Sequence, residues 1–193
     1  MNQIAVTLVL RSLTEPRKVA RWLIDLHLSR EALLTSFALV VVLNTVLFSL
    51  SMLLLDGAMP GLLGRPSIFA LMQVASVGIT IVTFQWAGRL IGGKGRMADM
   101  AVLVIWMQAL QVLVQALLLV LMPVSSFLGG TLVTLTTVIG LWILVNFIDE
   151  AHGFGSLLKS AAAVIFGVMG MSFVLSLLLA LIGVNATGIN GYV

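Results

Sequence analysis

The chain has 193 residues, of which 61% are hydrophobic and 9% charged, with ten Lys and Arg, seven Asp and Glu and no Cys. A soluble domain carries roughly a quarter charged residues, so no water-facing surface covers this much apolar material and lipid is the outer solvent. Disulfides, thiolate chemistry and Cys-ligated metals are excluded, and a net charge of +3 scattered over helix ends is too thin for a nucleic-acid surface.

In chain order, the first ten residues carry no basic n-region and form too short an apolar run for a signal sequence, so no cleavage is expected. Residues 15–30 then read as an amphipathic interfacial helix, with Thr14 as its cap and Pro16 in its first turn. Val19, Trp22, Leu23 and Leu26 share one face, and Lys18, Arg21 and Asp25 the other. Such a helix lies at headgroup depth with its basic face toward anionic lipid, or packs on the cytoplasmic ends of the bundle, and the two are compatible.

Uncharged stretches follow at 32–55, 66–88, 100–148 and 160–193. A charge at the centre of a spanning helix costs about 2.5–3.5 kcal/mol, so charges mark where the chain leaves the lipid. A span needs about 20 apolar residues. The third stretch is long enough for two spans, with Pro123, Ser125, Ser126, Gly129 and Gly130 as the break. The expected spans are 32–55, 66–88, 100–122, 127–148 and 160–182, in a single all-α domain covering 1–193. The alternation puts nine of the ten Lys and Arg on one side and Arg65 alone on the other. Basic short loops stay cytoplasmic, so the N-terminus is expected in the cytoplasm and the C-terminus outside.

Gly88 to Gly95 reads G-R-L-I-G-G-K-G, one residue short of a Walker loop, and Asp149 to His152 spells the DEAH string of helicases. Both need a nucleotide-binding sheet, which a spanning helix does not offer. Gly92, Gly93, Lys94, Gly95 and Arg96 instead form a tight cytoplasmic turn, a candidate contact for a lipid phosphate or a partner carboxylate. The plain alternative is a turn whose cations only set topology.

Within the lipid, Gln108, Gln111 and Gln115 recur along one face of the third span, and Gln73, Ser76, Thr80 and Thr83 along one face of the second. Both stripes are expected to point inward, as hydrogen-bonding glue between helices or as the lining of a small polar path. No ionisable residue lies at mid-membrane depth, which favours glue.

At the end of the fourth span, Asn146, Asp149, Glu150 and His152 offer carboxylates and one imidazole. With no second histidine close in sequence, a metal site is disfavoured. The expectation is an acidic helix end meeting Lys94, Arg96 or Lys159. The fifth span places Ala163, Gly167 and Gly170 on one face and Ser172, Ser176 and Ala180 on the other. Small residues let backbones approach closely, so it sits between two neighbours, one of which can belong to another subunit. Asn185-Ala186-Thr187 is a formal glycosylation triplet too near the membrane for use.

Three segments together resemble the bacterial branch of the Yip family, five-span membrane proteins named for Ypt/Rab interaction. They are Thr14-Glu15-Pro16-Arg17, the stretch from Trp86 to Met97 with its glycine turn, and the stretch from Leu141 to Ala163 with Trp142 and Glu150-Ala151-His152-Gly153. The resemblance implies a multi-pass protein of the bacterial inner membrane whose eukaryotic relatives act in vesicle traffic. Those relatives bind small GTPases through a long hydrophilic N-terminal region; about thirty residues precede the first span here, so GTPase binding is not carried over. Trp106, Met107 and Gln108 stand where relatives often show a Gly-Tyr pair.

The residues and the resemblance together lead to a non-enzymatic scaffold or accessory factor without cofactor or metal. Its expected partners are the bilayer, anionic lipid at the cytoplasmic face, and a membrane protein or a second copy. The alternative is a small transporter or channel-like protein using the polar faces of spans two and three.

Overall fold

The computed structural model describes residues 2–54 and 65–181. Within them lie seven helices and no strand: α1 (Asn2–Thr14), α2 (Pro16–Asp25), α3 (Arg30–Leu54), α4 (Pro66–Leu90), α5 (Met97–Val124), α6 (Ser126–His152) and α7 (Leu157–Leu181). The last five are long and apolar enough to cross a membrane. They match the five expected spans, each extended by up to a turn at its ends, because helix continues through the interfacial residues that the charge pattern excludes. Leu55 and the last residue of the expected fifth span, Ile182, lie outside the described residues, as does the Asn185 triplet.

Local chemistry accounts for the boundaries. Pro16 and Pro66 open α2 and α4, where their missing N–H costs nothing. The break between α5 and α6 is the single extended residue Ser125, whose Oγ accepts the Leu128 N–H at 3.4 Å. Pro123 sits inside the last turn of α5, and Gly129 and Gly130 inside α6. Gly153, at φ +64°, closes α6 in the left-handed conformation glycine adopts without strain.

Two departures occur at the N-terminus. Thr14 does not cap α2; it ends α1, a helix that no charge pattern marks, and its hydroxyl donates back to Leu10 O at 3.4 Å. The expected helix at 15–30 is shorter, and His27, at φ +44°, turns the chain toward α3.

The spans form a ring in the order α3, α5, α6, α7, α4, with α4 also touching α5, and α2 lies across the ends of α6 and α5. Packing is uneven along the bundle. Met100 and Val102–Ile105 of α5, Ile143, Phe147 and Ile148 of α6, Phe84 and Ala87 of α4, and Ala163 and Val164 of α7 are all buried, and all lie toward the end where the basic loops gather. Val19, Ala20 and Leu23 of α2 cover this cluster. Each large side chain so covered is worth about 1.5–3 kcal/mol where water is the alternative. Deeper in the lipid that driving force fades, because acyl chains are as apolar as leucine. Along α5 its neighbours leave two grooves, one against α6 that begins beside Val9 and Leu13 of α1 and one against α3.

Candidate functional site

The basic end of the bundle is built on the last turn of α6. Helical spacing brings Asn146, Asp149 and Glu150 to one side of that turn. The Asp149 carboxylate is buried and fully engaged. Its Oδ1 accepts from the Ser156 N–H at 3.0 Å and the Ser160 hydroxyl at 2.8 Å, and its Oδ2 pairs with the Arg17 guanidinium at 2.7 Å. The first two contacts place a negative charge against the start of α7, where unpaired N–H groups and the helix dipole favour it.

Arg17 also donates from Nε to Asn146 Oδ1 at 3.1 Å, and one turn further along α2, Arg21 reaches Glu150 at 2.7 Å. The hydrogen bond from Arg21 to Glu150 raises the already high guanidinium pKa, and the one from Lys18 to Glu15 holds that carboxyl below its usual range. This corrects the expected pairing: the acidic end of α6 meets Arg17 and Arg21 rather than Lys94, Arg96 or Lys159. Of the two arrangements open to the amphipathic helix, packing on the bundle is the one these contacts show, while Trp22 and Leu26 stay exposed. Trp106 Nε1 donates to Ser12 Oγ at 3.0 Å, which ties α1 to α5.

The glycine turn wraps His152. The imidazole is 2% exposed, donates from Nδ1–H to Ile148 O at 3.2 Å, and stacks on Phe154. A Cβ at Gly88 or Gly93 would overlap the ring, and one at Gly95 would press on the Ala151 carbonyl. Most of the turn's own donors are engaged: Gly92 N–H with Arg89 O, Gly93 N–H with Gly88 O, Lys94 N–H with His152 O at 3.1 Å, and Arg96 N–H with Asp99 Oδ2. Gln85, buried in α4, donates its amide to Gly95 O. An anion at this turn would therefore meet the exposed side chains of Lys94 and Arg96 rather than a nest of free N–H groups; Arg96 also contacts Asp99 at 3.5 Å.

In the lipid-embedded part, the Gln73 amide donates to Gln108 Oε1 at 3.2 Å and joins α4 to α5. Thr80 donates to Ser76 O in its own helix and touches Met171 of α7. The expectation that the whole glutamine stripe points inward is corrected: Gln111 is exposed, and neither Gln111 nor Gln115 has a hydrogen-bond partner among the described residues. Both line a groove of about 570 Å³ between α5 and α6, closed at its basic end by Val9 and Leu13 of α1, and Gln115 also reaches one of about 310 Å³ beside Phe48 and Phe69. These two amides lie on the side of α5 that opens into grooves rather than on the side Gln108 turns to α4, which a single-helix pattern cannot show. No cluster of three or more His, Cys, Asp or Glu that could hold a metal occurs among the described residues.

The three segments that carry the family resemblance thus meet in space, with Arg17 on Asp149 and the glycine turn around His152. The fold and this end-cluster define a multi-pass helical membrane protein. The Yip1 domain family model matches residues 10–183, and the chain belongs to that family. No curated protein and no solved structure matches the chain.

Proposed function

We propose that this protein is a non-enzymatic accessory or scaffold protein, acting through its surfaces on lipid and on other membrane proteins. One observation carries the reading: the buried Asp149 carboxylate, at the centre of the polar constellation at the end of α6, is consumed by contacts within the chain. Asp149 serves three donors, and His152 is enclosed by glycine backbone. A carboxylate saturated in this way is a poor proton carrier or metal ligand, and a good anchor for α2 and α7.

The same reading puts the basic end in the cytoplasm and the C-terminus in the periplasm of a bacterial inner membrane, following the bias of basic loops. Lys94 and Arg96 then face anionic headgroups there. A second reading, transport along the polar faces of spans two and three, draws on the unpartnered amides of Gln111 and Gln115. Flux into proteoliposomes separates them. The accessory reading expects no substrate-specific flux, and none that changes when Gln108, Gln111 and Gln115 are all replaced by Leu. Selective flux abolished by those replacements would establish transport instead.

A further inference from the structure

Gln111 lies near the middle of the bilayer. At about 1.5 Å per residue, α5 is roughly 42 Å long, and Gln111 and Gln115 sit roughly 21 and 27 Å from its start at Met97. An amide facing hydrocarbon without a partner is costly, and acyl chains carry no hydrogen-bonding group at that depth. The groove between α5 and α6 therefore asks for an occupant with polar groups at mid-membrane, which is a property of a spanning helix.

This chain carries such a helix. One face of α7 is used internally: Gly167 lets Phe84 of α4 approach, and Gly170 lies next to Thr83. The other face, with Ser172 and Ser176, is exposed, and neither hydroxyl has a partner among the described residues. Those serines lie roughly 23 and 29 Å along α7 from Leu157, at the same end of the bundle as Met97. Two unpartnered amides and two unpartnered hydroxyls thus have the same four-residue spacing and the same depth to within about one helical turn, on helices that run in the same direction. A small serine face also admits close backbone approach.

We propose that the chain self-associates by seating the Ser172 and Ser176 face of α7 of one copy in the α5–α6 groove of the next, with Gln111 and Gln115 as hydrogen-bond partners. The contact joins two different surfaces, so it builds a ring or a linear array rather than a two-fold pair.

The test uses the full chain in its native membrane. Because the protein has no cysteine, two differently tagged copies, one with Gln115→Cys and one with Ser176→Cys, each carry a single thiol at a known position. Oxidation with copper phenanthroline is expected to give a covalent dimer bearing both tags. It is expected to give none when Gln115→Cys is replaced by Val46→Cys, an exposed position at comparable depth on α3. Equal linkage at Val46, linkage mainly between like positions, or no linkage overturns the proposal. As a second measurement, photobleaching step counts in supported bilayers are expected to show association weakened about tenfold in Gln111→Leu plus Gln115→Leu, the loss of two interhelical hydrogen bonds. Leucine suits a lipid-facing site, so folding is preserved. Unchanged association, or wild-type monomers with a lipid held in the groove, overturns it.

Discussion

Arg17 of α2 and Asp149 of α6 come from opposite ends of the chain, yet their charged atoms meet at 2.7 Å. The aspartate is buried and the arginine half-exposed, so the pair sits at the rim of the bundle with water on one side only. There a carboxylate that also serves Ser156 and Ser160 is anchored rather than merely paired. The result is a headpiece in which α2, α6 and the start of α7 share one ion.

The fit around His152 predicts a steric rescue. Gly88→Ala and Gly93→Ala are each expected to lower stability by about 1–3 kcal/mol, the usual cost of overpacking. Adding His152→Ala should recover part of that loss. Gly78→Ala, where a Cβ meets open space, should be neutral or slightly stabilising because alanine favours helix. Thermal unfolding of purified variants in detergent gives the comparison, and no rescue by His152→Ala would mean that the glycines serve something other than the ring.

Backbone geometry makes a different demand at Gly153. Its φ of +64° closes α6, and a methyl group on its Cα would stand in open space, so Gly153→Ala costs conformational strain alone, about 1 kcal/mol. Gly153→Asn should cost less than Gly153→Ala, since asparagine tolerates this conformation. The same unfolding measurement ranks the two.

The Gln73–Gln108 bond predicts non-additivity. Gln108→Leu alone leaves the Gln73 amide unpaired between helices and should cost about 1 kcal/mol, whereas adding Gln73→Leu should restore much of it. Equilibrium unfolding of the two single variants and the double variant in mixed micelles yields the coupling directly.

At the glycine turn, Lys94→Gln and Arg96→Gln should each weaken retention of anionic lipid roughly fivefold, since a surface cation near an anionic leaflet is worth about 1 kcal/mol. Native mass spectrometry of protein released from mixed phosphatidylglycerol and phosphatidylcholine nanodiscs measures retention. Equal retention in the double variant would remove the turn from the lipid contacts.

Much of this architecture is legible in the sequence because hydrocarbon excludes ions, so the charges bracket every span. Residues 2–10 carry no such mark, and α1 has no signature of its own: it is held by Ser12 against Trp106, a contact between distant parts of the chain. Periodicity puts Arg17 and Arg21 one turn apart, but nothing local says that they dock on Asp149 and Glu150 instead of facing lipid. The glycines are visible as a turn, while their role as a cradle for His152 depends on where α6 ends in space. Helical spacing puts Gln111 on the same face as Gln108 and Gln115 but not in its true surroundings, because which part of that face meets a neighbour and which opens into a groove is set by packing over the whole bundle.

The anchoring role of Asp149 is tested most directly by a double-mutant cycle on Arg17→Ala and Asp149→Asn, read by reversible unfolding in mixed micelles. Asp149→Asn is expected to cost about 2–3 kcal/mol, with Arg17→Ala adding little in that background, as for a charge pair sharing one buried site. A stable Asp149→Asn variant, or two losses that simply add, would contradict the account and return Asp149 to the candidates for an active group.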